Sequence, residues 1–465
     1  MPRVVIVGAG ISGLALAFRL QQHIRDCTIT ILEQGARAGG KIWTHRQDGF
    51  EVEAGPNGFL DSKPSTLTLC RDLGLGERLI AASDPATQNR YLFVGDRLRP
   101  LPHDLASFVA SDVLTWRGKL NLMLERFRRR PAPRRDESVA AFARRKAGAE
   151  AAALADAVVT GIHAGDPALL SVAAAFPRLA ALETEHGSVL KGLSEAARRR
   201  RAEAEAQGQP IARPGTLWSF REGLRLLVET LHERLAQAPL LGVGVRRIER
   251  REAAPSSWIV SGDGRESWTA DAVVLTCPAF QQSAILADID AELAERIAGI
   301  AYSRVVVVGL GYRRVDVPGN LNGFGYIAPQ RTRRDLLGVQ WCSSIFPQRA
   351  PEGAVLLRAL AGGWHRPDVV GWDDARLVDA LRAELRAAMR ITAPPIVHHI
   401  VRWDRAIPQY HLGHLARVAW IEARVRQRHP GLFLAGNAYH GVALNDCTEQ
   451  AELLAARIAN NLARV

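Results

Sequence analysis

Residues 4–13 read VVIVGAGISG, and this stretch decides the fold class of the chain. The β-branched run Val4–Val7 is typical of a strand that is buried on both faces of a parallel sheet. A helical segment, Leu14–Leu20, follows the glycines, and a second strand is predicted over Ile29–Leu32. Strand, glycine-rich turn, helix and strand in this order predict a Rossmann-type βαβ unit.

The spacing of the glycines predicts what this unit binds. Gly8, Gly10 and Gly13 stand where a tight turn, a close approach of backbone to pyrophosphate and close helix–strand packing are needed. The helix that follows offers free N–H groups and a positive dipole end to phosphates. Glu33, at the end of the second strand, is placed to accept hydrogen bonds from a ribose hydroxyl. The sequence therefore predicts a dinucleotide site.

Two later turns suit the same ligand. In the first turn, Arg37 offers a cation and the doublet Gly39–Gly40 offers bare backbone to a pyrophosphate. The second turn, residues 53–57, reads EAGPN. Two unrelated surface turns are the alternative. Further pieces of a discontinuous cofactor domain are expected in residues 215–282, which include a buried strand at 272–275, and in residues 432–447.

Together these motifs resemble the glycine-doublet flavoproteins, a family that includes amine oxidases, phytoene desaturases and protoporphyrinogen oxidases. The resemblance implies FAD as the cofactor. We expect a helix that begins near Gly441–Ala443 to aim its N–H groups at the flavin, although Asn445 or Asp446 could equally cap that helix. The candidate FAD contacts are Gly8, Gly10, Ile11, Ser12, Gly13, Glu33, Arg37, Gly39, Gly40, Lys41, Gly55, Pro56, Val245, Gly436, Val442 and Ala443.

Several further blocks narrow the resemblance to the protoporphyrinogen oxidases and lie in that family's order. They are residues 88–93, 160–166, 322–327, 407–414 (IPQYHLGH) and 436–447. The family removes six electrons from protoporphyrinogen IX in three two-electron rounds through one flavin and passes them to O2, which becomes hydrogen peroxide. Oxidation of coproporphyrinogen III, or amine oxidase and desaturase chemistry, are the alternatives within the superfamily, and a non-catalytic flavin-bearing adaptor is the alternative outside enzymes.

A mostly apolar macrocycle with propionates needs an apolar slot and a cation, and the resemblance assigns these roles. Arg90 matches the propionate anchor and Phe324 a stacking ring, with a surface ion pair and core packing as their respective alternatives. No side-chain catalyst or metal ligand is predicted, because hydride transfer belongs to the flavin; His163, His411 and His414 are interpreted as structural. The candidate substrate contacts are Arg90, Gly165, Ala164, Phe324, Gly325, Ile327 and Asn57, the last with its role open.

The charge of the chain is concentrated in one segment. The 465 residues carry a formal charge of +12, and residues 117–146 hold 11 Lys+Arg against three Asp+Glu, a local excess of eight. Apolar residues recur at helical spacing through residues 104–130, which Ser111–Asp112 divides into two helices, and Arg117, Lys119 and Arg126 flank them. This pattern predicts either a helix on an anionic membrane surface or an ordinary surface helix. Nucleic acid is excluded as a partner, because no interleaved aromatics or binding motif accompany the charge.

The sequence thus predicts an α/β fold with three parts. A Rossmann-type FAD domain takes residues 1–84, 215–282 and 415–465, and an α+β substrate domain takes residues 85–103, 175–214 and 283–414. A helical membrane-associating domain takes residues 104–174. Five scattered cysteines and the lack of a secretory signal favour a cytoplasmic enzyme on the inner face of the cell membrane. The family context suggests that product passes to ferrochelatase, and a homodimer stays open.

Overall fold

The structure is a computed structural model that describes residues 1–102, 104–127, 136–206, 215–251 and 257–463. Its strands and helices alternate along the chain in the α/β manner that the sequence predicts. The strands are β1 Arg3–Val7, β2 Thr28–Glu33, β3 Thr44–Gln47, β4 Phe50–Glu53, β5 Phe59–Leu60, β6 Leu79–Ala81, β7 Tyr91–Phe93, β8 Leu98–Pro100, β9 Leu217–Phe220, β10 Leu240–Leu241, β11 Val245–Arg250, β12 Trp258–Gly262, β13 Ser267–Ala270, β14 Ala272–Leu275, β15 Tyr302–Arg313, β16 Gly325–Ile327, β17 Leu336–Trp341, β18 Ala354–Gly362, β19 Val397–Pro408 and β20 Leu432–Leu434.

The helices fall between these strands and in one long insertion after β8. They are α1 Ile11–His23, α2 Ser65–Asp72, α3 Asp84–Gln88, α4 Leu105–Ala110, α5 Trp116–Met123, α6 Val139–Ala147, α7 Ala149–His163, α8 Val172–Ala175, α9 Pro177–His186, α10 Val189–Ala206, α11 Arg225–Arg234, α12 Ala279–Leu286, α13 Ala291–Ala298, α14 Cys342–Ile345, α15 Asp374–Met389, α16 His414–Arg428 and α17 Leu444–Leu462. Short 3-10 turns lie at Gly76–Arg78, Leu124–Phe127, Arg314–Asp316, Gln330–Thr332, Pro347–Arg349 and Pro367–Gly371.

A five-stranded parallel sheet in the order β10-β2-β1-β14-β20 confirms the predicted Rossmann-type unit. Val4 pairs with Ile29 on one side and with Ala272 on the other, so residues far apart in sequence share one sheet. Val4–Val7 are buried because α1 and α17 cover one face of the sheet and α12, α13 and α16 pack on the other. The carboxyl ends of β1, β14 and β20 therefore meet at one edge.

A second sheet of seven strands runs in the order β19-β15-β18-β17-β16-β7-β8. Its pairs are antiparallel except β16 with β7, and β15 and β19 are its longest strands, with 12 residues each. Helix α15 packs Leu377, Leu381 and Leu385 on one face of this sheet. The other face is left toward the first sheet, where the cavity described below lies. Smaller sheets join β11-β12-β13, β3-β4 and β5-β9-β6.

Helices α4 to α10 form the insertion between β8 and β9. The predicted division at Ser111–Asp112 is confirmed, since α4 ends at Ala110 and α5 begins at Trp116. This region has its own small core, to which Phe142 of α6, Val159 of α7 and Tyr410 contribute. Exposed apolar side chains on α4, α5 and the following turn form what we call the apolar patch: Val109, Trp116, Leu120, Met123, Leu124 and Phe127.

The structure corrects the predicted basic face beside this patch. Lys119 is buried. Its Nζ donates to Val109 O at 2.6 Å and lies 4.7 Å from the Trp116 ring centre, so the ammonium does not face solvent. Lys146 is also buried and pairs with Glu125 and Glu183. Arg145 pairs with Glu137 and Glu183, so three of the eleven basic residues bind inside the helical region rather than facing outward.

Of the remaining basic residues, Arg117, Arg126 and Arg144 are exposed. The other five (Arg128, Arg129, Arg130, Arg134 and Arg135) lie outside the described residues. Within the described parts of the chain, no helix is both long and apolar enough to cross a membrane.

Candidate active site

A cavity of about 1410 Å³ lies between the two large sheets. Val7, Leu32 and Thr276, at the carboxyl ends of β1, β2 and β14, form one wall, and Val305 and Val307 of β15 belong to the opposite wall. Ligands of open α/β sheets bind outside the carboxyl ends of the strands, and this cavity occupies that position. Fifteen of the sixteen predicted FAD contacts line it: Gly8, Gly10, Ile11, Ser12, Glu33, Arg37, Gly39, Gly40, Lys41, Gly55, Pro56, Val245, Gly436, Val442 and Ala443.

The glycine-rich turn after β1 explains why the sixteenth, Gly13, is absent from the wall. A Cβ on Gly13 would lie 2.0 Å from Gly8 O, so this glycine lets α1 pack on β1 and does not face the cavity. Gly8 has φ +109°, a conformation that favours glycine. A Cβ on Gly10 would meet no protein atom within 4 Å, so the open space before Gly10 belongs to the cavity. Gly8 and Gly13 thus have the turn and packing roles that the sequence predicts, whereas the close approach of Gly10 to a pyrophosphate stays a prediction for which the open space leaves room.

The glycine doublet is joined directly to the glycine-rich turn. Gly39 N donates to Ala9 O at 2.7 Å, and Gly39 forms a parallel bridge with Gly10. The Arg37 guanidinium donates to Gly40 O at 3.1 Å and lies 4.5 Å from the centre of the Trp43 ring. The glycine-rich turn and the glycine doublet therefore present backbone atoms to the same part of the cavity, and the Arg37 guanidinium lies beside them.

Lys41 ties the doublet to the second sheet. Its Nζ donates to Arg405 O at 2.9 Å and also to Ala406 O, both in β19. Burial lowers the pKa of the Lys41 ammonium to about 8. This cavity-lining cation is bound by neutral carbonyl oxygens, so its positive charge is available to an anionic ligand.

Glu33 is held rigidly at the end of β2. One carboxylate oxygen accepts from Ala9 N at 2.8 Å, and the other accepts from Gly35 N at 2.8 Å. Each oxygen keeps a lone pair, and the side chain lines the cavity, which suits a hydrogen bond from a hydroxyl.

The turn of residues 436–443, which we call the cofactor turn, leads into helix α17. Helix α17 begins at Leu444, Gly441 N donates to Tyr410 Oη at 2.8 Å, and Ala443 N donates to Asp446 Oδ2 at 3.0 Å. Protein partners thus occupy the N–H groups of Gly441 and Ala443, and Asp446 caps the helix as the sequence allows, whereas a contact between this helix start and the flavin stays a prediction. Val442 N has no protein partner in the described parts of the chain, and Val442 lines the cavity.

Asn57 is the polar side chain most clearly prepared for a ligand. It is 7% exposed and lines the cavity, yet neither its Oδ1 nor its Nδ2 has a hydrogen-bond partner among the described residues. An unpaired buried amide is costly, and a ligand with both a donor and an acceptor would satisfy it.

Arg90 and Phe324 are brought together by the parallel pairing of β7 with β16. Phe324 lines the cavity, and the Arg90 guanidinium, which is not itself a wall residue, lies 4.9 Å from the centre of its ring. Phe324 N donates to Asn89 O at 2.9 Å, which holds the two residues side by side. Arg90 is exposed and has no carboxylate partner within the described residues, so the predicted alternative of an ion pair is not what the structure shows.

Of the seven predicted substrate contacts, Phe324 and Asn57 line the cavity, whereas Arg90, Ala164, Gly165, Gly325 and Ile327 do not. A Cβ on Gly165 would lie 2.1 Å from Gln409 Oε1, and one on Gly325 would lie 2.0 Å from Val339 O. Ile327 packs its Cδ1 against Gly161 of α7, and Ala164, with φ +46°, ends that helix. Packing within the protein therefore accounts for these residue types.

Several wall residues escaped the sequence analysis. Arg358 of β18 is 2% exposed and donates to Glu53 O at 2.8 Å, to Gly55 O and to Gln340 Oε1 at 2.8 Å. Arg405 lines the cavity with its guanidinium 4.1 Å from the centre of the Phe280 ring. A lone arginine inside the apolar run VLLRALA was a readable signal for Arg358, because arginine is rarely buried without partners.

None of the three motif histidines lines the cavity. Burial lowers the pKa of His163 and of His414 to about 4 in each case, so both rings are neutral at neutral pH. His411 lies edge-on to Trp364, with 4.8 Å between ring centres. These positions agree with the structural interpretation.

Comparison with known proteins identifies the family. The sequence model of one protein family, the flavin-containing amine oxidoreductases, matches residues 11–459 of this chain. The chain belongs to that family. It is an FAD-dependent oxidoreductase, and the open space at Gly10, the free Asn57 amide and the cation at Lys41 fit that cofactor.

The relatives of this flavoprotein divide between two names. Chloroplastic protoporphyrinogen oxidase of Nicotiana tabacum is 34% identical over 99% of this chain and 86% of the relative. Coproporphyrinogen III oxidase of Bacillus subtilis (strain 168) is 28% identical over 96% of both chains. A crystal structure from Exiguobacterium sp. 255-15, described provisionally as a protoporphyrinogen oxidase, superposes with a TM-score of 0.82 at 27% identity, covering 99% of both chains.

Proposed function

We propose that this flavoprotein oxidises a porphyrinogen to a porphyrin in haem biosynthesis, with protoporphyrinogen IX as the preferred substrate. Relatives that carry the name protoporphyrinogen oxidase, at 34% identity in tobacco and 31% in Homo sapiens, support the reaction class. Bound FAD supplies the two-electron acceptor for hydride, and three rounds account for six electrons. In this proposal O2 takes the electrons and leaves as hydrogen peroxide.

The pair formed by Arg90 and Phe324 is the observation that carries the proposal. A free guanidinium beside the wall of an apolar cavity suits a propionate, and the Phe324 ring offers an apolar face to a pyrrole. Val305, Val307 and Leu360 on the facing strands supply the apolar slot and exclude water. Asn57 would bind the cofactor or the macrocycle with its free amide, and the fifteen wall residues of the glycine loops would hold FAD.

Ala164, Gly165, Gly325 and Ile327 would act on the substrate indirectly. Gly165 and Ala164 shape the end of α7, where Gly161 and Ile162 reach the cavity, and Ile327 packs behind Gly161. Gly325 would keep β16 close to β17 and so fix the place of Phe324.

Coproporphyrinogen III is the second candidate substrate. It carries four propionates and needs more cations than Arg90, and Arg405 offers one on the wall of the same cavity. Two relatives named coproporphyrinogen III oxidase support this candidate. They come from Bacillus subtilis and Staphylococcus aureus, and both are 28% identical to this chain.

The deciding experiment measures porphyrin fluorescence in air as each porphyrinogen is oxidised by purified holoenzyme. We expect a higher kcat/KM for protoporphyrinogen IX, together with hydrogen peroxide in a ratio of three per porphyrin. Faster turnover of coproporphyrinogen III would replace the preferred substrate with the second one, and no oxidation of either would contradict the proposal as a whole.

We also propose that the apolar patch rests on an anionic membrane surface. Trp116 is 72% exposed and Phe127 is 73% exposed, and both lie beside the exposed Arg117 and Arg126. Exposed aromatic rings next to cations suit the boundary between head groups and acyl chains. This proposal is independent of the substrate.

A further inference from the structure

The segment IPQYHLGH at residues 407–414 contributes to the family resemblance, but none of its residues is among the predicted cofactor or substrate contacts. The structure places its tyrosine, Tyr410, in full burial between the end of β19 and the cofactor turn. The Tyr410 hydroxyl donates to Asn437 O at 2.6 Å and accepts from Gly441 N at 2.8 Å. One phenol therefore joins the two limbs of the turn, by which we mean the backbone at Asn437 and the backbone at Gly441.

The ring of Tyr410 is held as firmly as its hydroxyl. It stacks on His414 with 4.0 Å between ring centres and 13° between planes, and His414 Nε2 lies 3.3 Å from Tyr439 O. The backbone of Tyr410 is anchored as well, because its carbonyl accepts from Ser171 N at 2.8 Å. The tyrosine is thus fixed by the helical region on one side and by the turn on the other.

Two side chains outside the cofactor turn brace it. Gly436 has φ +107° and Gly441 has φ +110°, a conformation that favours glycine. Gln282 braces the middle of the turn, because its Oε1 accepts from Tyr439 Oη at 2.6 Å and its Nε2 donates to Ala435 O at 3.0 Å. In the described parts of the chain, Tyr410 is the side chain outside the turn that bonds to both limbs. Asn437, Ala438 and Val442, which lie between or beside these bonds, line the cavity.

We propose that Tyr410 is a positioning residue for FAD, whose hydroxyl sets the spacing of the two limbs of the cofactor turn and thereby the wall against which the flavin lies. The inference rests on the cofactor alone. It holds whichever porphyrinogen is the substrate, and it would survive if neither were.

Tyr410→Phe in the full chain tests this role, because it keeps the ring and its stack while removing both hydrogen bonds. Titration of apoprotein with FAD should show a dissociation constant raised about 5- to 30-fold, as expected for two lost hydrogen bonds. The midpoint potential of the bound flavin should become more negative, because the Val442 N–H, which has no protein partner in the described residues and lines the cavity, would no longer be held where it stabilises the reduced, anionic flavin. The matched control is Tyr312→Phe, since the buried Tyr312 hydroxyl has no partner among the described residues. It should change the dissociation constant less than about twofold and should leave the midpoint potential of the flavin unchanged.

A purely structural role would give a different result. If Tyr410→Phe lowered the melting temperature of the apoprotein but left FAD affinity and flavin potential equal to those of the control, the proposal would be overturned. Should the apoprotein of Tyr410→Phe not stay folded, the rate of FAD release from the purified holoprotein replaces the titration. Faster release than from Tyr312→Phe supports the proposal, and an equal rate overturns it.

Discussion

The guanidinium of Arg90 lies over the ring of Phe324, with 4.9 Å between the central carbon and the ring centre, while the ring itself lines the cavity. The two residues are 234 positions apart in sequence, and the parallel pairing of Tyr91 with Tyr326 brings them together. A cation without a carboxylate partner in the described residues and an aromatic wall thus form one unit at the edge of the proposed porphyrinogen site.

Replacing Arg90 tests the anchor. Arg90→Gln should raise KM about 10- to 100-fold, because a charge-assisted contact with a carboxylate is lost, while kcat falls less. Steady-state kinetics on the preferred porphyrinogen measures the split. Arg97→Gln is the matched control, since Arg97 is exposed and pairs with Asp112 away from the cavity. Equal KM values for the two variants would remove Arg90 from the substrate site.

Replacing Asn57 should affect the stability of the apoprotein and the activity of the holoprotein differently. Asn57→Leu should leave the free energy of unfolding of the apoprotein unchanged or raise it by about 1 kcal/mol, because the buried amide has no partner in the described protein. Activity of the holoprotein should fall at least about tenfold, since the ligand loses those hydrogen bonds. Chemical denaturation of the apoprotein and steady-state kinetics measure the two effects. A destabilised apoprotein with full activity would show that Asn57 serves the fold.

Two neighbouring glycines should respond in opposite ways to alanine. Gly10→Ala meets no protein atom within 4 Å and should keep apoprotein stability, yet weaken FAD binding at least about tenfold by filling the space of the cofactor. Gly13→Ala would place its Cβ 2.0 Å from Gly8 O and should cost the apoprotein about 2–3 kcal/mol. Urea unfolding and FAD titration of both variants measure these effects. Similar losses of stability in both would contradict the assignment of open space to Gly10.

Lys41 should make FAD affinity depend on pH. Its pKa of about 8 refers to the protein without FAD, and a bound pyrophosphate would favour the ammonium, so the complex holds the proton more tightly than the apoprotein. Affinity is then constant below pH 8 and falls by up to about tenfold per pH unit above it. FAD titrations from pH 7 to 9.5 test this slope. Lys41→Met should bind more weakly at pH 7 and show no slope, and a slope retained in that variant would assign the effect to another group.

The apolar patch should govern binding to vesicles. The double variant Trp116→Ser with Phe127→Ser should lose at least about tenfold in affinity for vesicles that contain anionic lipid, because two exposed rings no longer insert. Arg117→Glu with Arg126→Glu should weaken binding in a salt-dependent manner. Co-sedimentation measures both, with Val315→Ser as the control because Val315 is 87% exposed in another region. Binding that none of these changes alters would place the membrane contact elsewhere or exclude it.

The sequence by itself determined the Rossmann-type unit, the turn and packing roles of Gly8 and Gly13, and the position of Glu33 on the cavity wall, because these depend on contacts between residues close together in the chain or in adjacent parallel strands. It also determined the family, since the diagnostic blocks are short and lie in order along the chain. The resemblance assigned Arg90 and Phe324 to one substrate, but their contact with each other came only from the structure.

Only the tertiary structure decided where the other polar groups find their partners. Lys119 looks like a surface cation in a helical pattern, yet Val109 O and the Trp116 ring bury it. The N–H of Gly441 looks free for a ligand, yet Tyr410, 31 positions earlier, occupies it. Gly165 looks like a substrate contact, yet Gln409 requires it to be glycine. In each case the deciding atom is distant in sequence, and helical or strand periodicity carries no information about such an atom.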